Sequence, residues 1–302
     1  MPAAQRDGRR GPRLGHFLAT LLVATGLSVA HAQGIAQQIY AIVVDADGFP
    51  VRGLSAEDFS LRDGAVRQAV LGAEPATSPI WVAVTVHGFD REDAPAVRGA
   101  IERIAARVKN GPAGSRTLVK QGKGIASDWI DVGAGHTDTT DAYPVAAPDL
   151  PVLDVIDSAC AALRRAPTDR RVVVLLLRAR PEDAILRPTG LLTDVLFNSG
   201  AALWTVEITS SSRMPARPTE GTVDLDDLLT EATRFSGALR ERVPNLEAIA
   251  PMAERVANLT LAQYVVTYQW PNPMLSVFSI ATRHDRGEVL LPTWSRLALA
   301  DR

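Results

Sequence analysis

Several groups of side chains in this sequence have the types and spacing to do chemistry. His87 stands three residues before Asp90, with Asp154 farther along, and an imidazole near carboxylates is the material of a general base or of an unusual metal site. A loop histidine making one hydrogen bond is the plainer reading, and we prefer it. His136, Asp138 and Asp141 offer donors to calcium from a Gly-rich stretch, but their spacing fits no EF-hand loop and reads better as a solvated polar segment. Asp224, Asp226 and Asp227 fall where a helix is expected to begin, and carboxylates there complement the helix dipole without any ligand. Cys160, in DSACAALRR with Ile156 and Leu163 at neighbouring face positions, reads as a buried small hydrophobe rather than a nucleophile.

Motifs that would raise any of these to an enzyme are absent from the sequence. There is no Gly-x-Ser-x-Gly elbow and no His-Glu-x-x-His, and GPAGSRT (111–117) lacks the lysine and spacing of a phosphate loop. The chain is therefore read as non-enzymatic and without a cofactor. The alternative, a hydrolase using His87 as base beside Asp90 or Asp154, has no identifiable nucleophile.

The elements that position these residues follow from periodicity. Within 78–260 the strand candidates IWVAVTV (80–86), RTLV (116–119), RVVVLLL (171–177) and ALWTVEI (202–208) alternate with helices at 93–110, 152–166, 189–198, 225–235 and 245–259. That alternation predicts an α/β fold, a mostly parallel central sheet with helices on both faces. In 93–110 the residues Val97, Ile101, Ile104, Ala105 and Val108 recur at spacings of three and four, so one face is apolar, while Arg98, Glu102, Arg103 and Arg107 line the other. The aliphatic run after Arg171 has the pattern of a central strand buried on both sides.

Both ends of the mature chain read as strands. In 33–77 the runs IYAIVV and FSLRDGAVRQAVL are separated by an Asp45–Gly48 turn, and Asp63-Gly64 is a strong hairpin signal. In 261–302 QYVVTYQW, VFSIATR and GEVLLPTW alternate with turn residues. Strands at both ends around an α/β centre predict that the ends pair into a small β unit.

The first 32 residues carry Arg6, Arg9, Arg10 and Arg13, then an apolar stretch from Phe17 to Val29, then Ala30-His31-Ala32. These are the three parts of a secretory signal, with cleavage expected after Ala32 and a secreted or periplasmic destination. Thirteen residues interrupted by Gly26 fall short of the ~20 needed to span a bilayer, so no stable membrane span is expected after cleavage. The whole chain of 302 residues has 32 basic and 34 acidic side chains, a formal charge of -2 and no basic block, which argues against nucleic acid as a partner. Its single cysteine excludes a disulfide framework.

On these residues the chain resembles the von Willebrand factor A-related domain proteins of the acidobacterial type. The leader VVDADGFPVRGLSAEDFSLRDG (43–64) is similar to that family's strand, acidic-Gly turn, Pro-Val, Gly-Leu, acidic-Asp-Phe and Asp-Gly pattern. The segment LAQYVVTY (261–268) is similar to its helix-to-strand passage with two tyrosines, and Arg234-Phe235-Ser236-Gly237 sits where a Thr-Gly-Gly type turn is expected. The resemblance implies a Rossmann-like A-type domain plus a small β unit from the chain ends.

It also implies a divalent cation at the carboxyl end of the first long strand, held by an Asp-x-Ser-x-Ser motif and by a Thr and an Asp from other loops. Here Thr85, His87 and Phe89 fall on the first three positions, Leu150 falls on the Thr position ahead of Asp154, and Arg178-Ala179-Arg180 replaces the usual Ser-Asp-Gly. Hard oxygen ligands are what such a cation needs, so the site is read as degenerate and metal-free. The expected function is then a protein-interaction or adhesion module. Its carboxyl-edge loops, with His87, Phe89, Asp90, Arg178, Arg180 and Glu182, would bind an acidic protein or envelope component through an aromatic anchor and an Arg pair. The alternative is a structural part of an envelope assembly that makes contact through Trp270 and Trp294 of the β unit.

Overall fold

A computed structural model describes residues 35–63, 66–120, 129–132, 151–179, 190–209, 224–270, 278–283 and 287–292. In chain order the strands and helices are β1 (Ile35–Val44), β2 (Phe59–Asp63), β3 (Val66–Gln68), β4 (Val70–Pro75), β5 (Ile80–His87), α1 (Ala94–Lys109), β6 (Arg116–Lys120), β7 (Trp129–Asp131) and α2 (Val152–Leu163). They continue with β8 (Arg170–Leu177), α3 (Gly190–Ser199), β9 (Ala201–Ile208), α4 (Leu225–Phe235), β10 (Arg240–Val243), α5 (Ile249–Leu261), β11 (Tyr264–Trp270), β12 (Phe278–Thr282) and β13 (Glu288–Leu290).

The central sheet runs β10-β9-β8-β5-β6-β7, parallel throughout except for antiparallel β7 at one edge. The chain enters at β5, winds outward through β6 and β7, then crosses back to β8 and continues to β9 and β10. This is the doubly wound order, with its reversal between β5 and β8. The predicted α/β sheet is therefore present. It has two more strands than the sequence showed, because β7 (Trp-Ile-Asp) and β10 (Arg-Glu-Arg-Val) are short edges of three and four residues with no unbroken apolar run.

The sheet is buried on both faces because its central strands are almost wholly aliphatic. Val172 to Leu177 are 0–1 % exposed. One face packs on Val97, Ile101, Ile104 and Val108 of α1 and on Ile249, Ala253 and Val256 of α5, and the other on Ile156, Cys160 and Leu163 of α2 with Leu196 and Leu229. All five α1 residues singled out by spacing are buried, while Arg103 and Arg107 on its outer face hold Glu254 of α5.

The two ends of the described chain share one sheet, β13-β1-β11-β4, in which β1 is antiparallel to β11 with Ile35 opposite Trp270, and to β13 with Val43 opposite Val289. A second small sheet, β12-β2-β3, completes the β unit, with Asp63 opposite Val66 across the predicted hairpin. Gly64 and Ala65 lie outside the described residues. Strand alternation makes β1 a seam. Ile39, Ala41 and Val43 enter a core with Phe59, Leu61, Tyr264 and Tyr268, whereas Ile42 and Val44 enter the core of the central sheet with Trp204 and Val256.

One polar cluster fastens the seam. Arg170, the first residue of β8, is 2 % exposed, and its guanidinium donates to Gln263 Oε1 (2.7 Å), the carbonyls of Ala76 (3.2 Å) and Ser78 (2.5 Å), and that of Thr260 (3.3 Å). It also lies 5.9 Å from the Tyr40 ring centroid. Its acceptors are all uncharged, so burial lowers its pKa to about 10, with Tyr40 acting weakly the other way. Each buried acceptor orphaned by its removal costs about 1–3 kcal/mol, partly offset by no longer desolvating a charge. Arg170→Met is therefore expected to lower the unfolding free energy in urea by about 3–5 kcal/mol, whereas Arg103→Met, at a half-exposed surface pair, costs less than about 1 kcal/mol.

Candidate functional site

Open doubly wound sheets bind ligands in the crevice at the carboxyl ends of the strands where the winding reverses. In this chain that point lies between the end of β5 (His87) and the end of β8 (Leu177), and the local sequence brings the two together. Gly88 takes φ +80°, and a Cβ there would stand 1.8 Å from the carbonyl oxygen of Arg178. The Arg178 N–H donates to the His87 carbonyl at 3.0 Å, so the strands stay joined one residue past their ends. Backbone lies against backbone where the crevice would open.

The turn after Gly88 is built from its own acids. The Asp90 N–H donates to Asp93 Oδ2 at 2.9 Å and the Asp93 N–H to the Asp90 carbonyl at 3.0 Å, which starts the 3-10 turn leading into α1. Asp93 is 6 % exposed, and Arg178 Nη1 donates to its Oδ2 at 2.5 Å, with Asp90 Oδ2 at 3.9 Å. The Arg178 guanidinium also lies 5.4 Å from the Phe89 ring centroid. A fixed organic cation thus sits at the carboxyl edge, clamped by a buried carboxylate and an aromatic face.

This geometry corrects the sequence reading of the edge. Phe89 is 1 % exposed and packs in the α1/α5 core, so it is no exposed anchor. Arg178 is committed to Asp93 within its own chain. Thr85 and His87 are 3 % and 4 % exposed at the end of β5, while Asp90 is open to solvent and Asp154 is half-buried in the first turn of α2. A hydroxyl, an imidazole, an aromatic ring and a guanidinium stand where the resemblance places the oxygen donors of a divalent cation. Among the described residues no group of three His, Cys, Asp or Glu is placed to hold a metal. Leu150, Arg180, Glu182, His136, Asp138, Asp141 and Trp294 lie outside the described residues, and so does the side chain of Trp270.

Two polar clusters at the same edge escaped the sequence reading. Lys120, ending β6 and 9 % exposed, donates Nζ to Ser158 Oγ at 3.2 Å, and Trp129 Nε1 donates to the same oxygen at 3.4 Å. Burial lowers the Lys120 pKa. Ser158 is the acceptor in both bonds, the reverse of what a nucleophile needs from its base, and the cluster ties β6 and β7 to α2. At the end of β9, Glu207 is 2 % exposed and meets Arg240 Nε at 2.9 Å, while Asp226 Oδ1 meets Arg240 Nη2 at 2.8 Å and pairs with Arg242. Burial raises the Asp226 pKa, but the two arginines outweigh it and the net shift is downward. Asp224 caps α4, its Oδ1 accepting the Asp226 N–H at 2.9 Å, so the acids singled out at this helix start include a cap and an ion-pair partner.

The closed switch point gives a paired test. Gly88→Ala forces an L side chain into positive φ and into the Arg178 carbonyl, and is expected to cost about 3 kcal/mol or more. Gly53→Ala has φ +77° but nothing within 4 Å, and is expected to cost only about 1–2 kcal/mol, both read from urea midpoints. A second test concerns Cys160, which is 0 % exposed and has its pKa pushed by burial from 9.0 to about 11. It should resist iodoacetamide at pH 7.5 in the native protein and react once unfolded. Because the native thiol holds its proton more tightly, its contribution is complete below pH 9 and is lost as pH rises through 11.

No family model matches the chain, and no curated protein matches it. Among solved structures it is similar to a von Willebrand factor type A protein from Catenulispora acidiphila, at 12 % identity over 74 % of this chain and 51 % of that one, with a TM-score of 0.43. It is similar also to the SpRpn10 VWA domain, at 11 % identity over 60 % and 98 % with a TM-score of 0.42. The ArnB paralog VWA2 from Sulfolobus acidocaldarius matches at 8 % identity over 89 % and 79 %, with a TM-score of 0.39. The chain spans about half the length of the Catenulispora protein. Strand order, one antiparallel edge and helices on both faces make the fold α/β, doubly wound and Rossmann-like.

Proposed function

We propose that this chain is a non-enzymatic protein-interaction module of A-type fold that works without a divalent cation, secreted or periplasmic after loss of its first 32 residues. The observation that carries the reading is the Arg178–Asp93 clamp at the switch point, 2.5 Å long and stacked on Phe89. It puts a permanent positive charge where the resembled family places a metal, and it fills the crevice that a small-molecule substrate would need. Contact with a partner then falls to what is exposed around the plug, the Asp90-Arg91-Glu92 turn, and to the segment 180–189 that carries Arg180 and Glu182. Loops on a rigid sheet edge are the usual carriers of recognition. Phe89 and Arg178 have a supporting role in this proposal and shape the turn from beneath.

Thermal melting of the chain from Gln33 onward, first in EDTA and then with millimolar magnesium, manganese or calcium, tests the absence of the metal. The expected result is one midpoint in all four conditions. A site filled at about 100 times its Kd would add about 2.7 kcal/mol, which in a domain of this size moves the midpoint by roughly 5–10 °C, and such a shift would overturn the proposal.

A further inference from the structure

The opposite, amino edge of the central sheet holds a cavity of about 500 Å³, in the range of ligand sites, walled by β1 on one side and by Arg170, Arg171 and Phe197 on the other. Among the described residues its β1 wall is an open strand edge. Val43 accepts from the Val51 N–H and the Asp45 N–H donates to the Phe49 carbonyl, which fixes the odd-numbered β1 residues as the ones whose backbone groups face the β11 side. By alternation the N–H and C=O groups of Ala36, Gln38 and Tyr40 face the other side. There β13 covers only Ile42–Val44, and among the described residues no strand pairs with Ala36–Tyr40.

The facing wall carries uncompensated positive charge. Arg171 donates Nη1 to the Ser199 carbonyl (2.9 Å) and Nη2 to the Ala166 carbonyl (3.1 Å), and its Nε has no partner. Arg170 is likewise held by uncharged acceptors. Among the described residues the wall has one acid, Asp169, which is exposed at the rim and makes no ion pair with any of them. Phe197, 42 % exposed, supplies an apolar contact beside the two arginines.

We propose that this groove binds an extended, acidic segment of a partner protein, which adds to the β13 side of β1 and turns a carboxylate toward Arg171. Backbone pairing with Ala36, Gln38 and Tyr40 supplies affinity, and Arg171 with Phe197 selects a segment that alternates acidic and apolar residues. Five residues of open edge span about 17 Å, enough to fix one register for such a strand. The site lies at the end of the sheet away from the Arg178 plug, so it stands or falls independently of the metal-free reading.

The probe is the capped peptide Thr-Val-Glu-Val-Thr-Val, compared with its Gln-for-Glu form, added to the full chain and followed by amide hydrogen exchange. Saturable binding of the Glu peptide, with new protection at Ala36, Gln38 and Tyr40, is the expected result. Gln38→Pro deletes an outward N–H at an edge where proline is tolerated and should weaken both peptides at least about tenfold. Arg171→Gln should weaken the Glu peptide by a similar factor and leave the Gln peptide unchanged. Equal binding of the two peptides to the unaltered protein would overturn the proposal, as would protection confined to the carboxyl edge. Full protection of the three amides before peptide is added would assign the edge to this chain itself, or to a second copy if it rises with protein concentration, and would overturn it too.

Discussion

A single buried guanidinium holds the two halves of this protein in register. Arg170 begins the central strand β8, yet its four hydrogen bonds serve the β4–β5 connection, the last turn of α5 and the entry to β11, and Tyr40 of β1 lies beside it. Each acceptor is a dipole rather than a charge. Such an arrangement is intolerant of partial occupancy, because the charge is accommodated only if every dipole points inward at once. The β unit and the α/β domain are consequently coupled through one set of bonds in addition to the apolar seam that β1 makes between them.

The two arginines at the ends of β8 divide the labour of the fold. Arg170 at the amino end is a joint, and Arg178 at the carboxyl end is a plug. Between them run Val172 to Leu177, which no water reaches. A strand so apolar has no side chain of its own for chemistry, and its function has to be carried at its two ends. The carboxyl end is sealed by the contact of Gly88 with the Arg178 carbonyl, and the amino end opens into a groove beside β1.

What the sequence made legible follows from how local each signal is. The buried face of α1 and the run in β8 were readable because repeats of three and four, or unbroken aliphatics, state burial without reference to the rest of the chain. β7 and β10 were not readable, since three or four mixed residues become strands only when a neighbour offers hydrogen bonds. Phe89 and Arg178 were misread for a related reason. Adjacent to a strand end, an aromatic ring and a cation look like a binding surface, but Arg178 finds its carboxylate 85 residues earlier in the chain, and Phe89 is folded inward by the turn that Gly88 permits. Arg170 carries no local sign of burial at all, because its partners are three backbone carbonyls and the Gln263 side chain, all distant in sequence.

The pairing of β1 with β11 bears on how the chain is made. Ile35 lies opposite Trp270, so the first strand to leave a ribosome waits through about 235 further residues for its partner. At 5–20 residues per second that is an interval of roughly 12–47 s. During it Ile39, Val43 and their neighbours have no core to enter, and the seam that joins the two cores stays unmade. The order of the strands thus delays completion of the fold until nearly all of β11 has emerged, and leaves the residues of β1 without their native partners in the meantime.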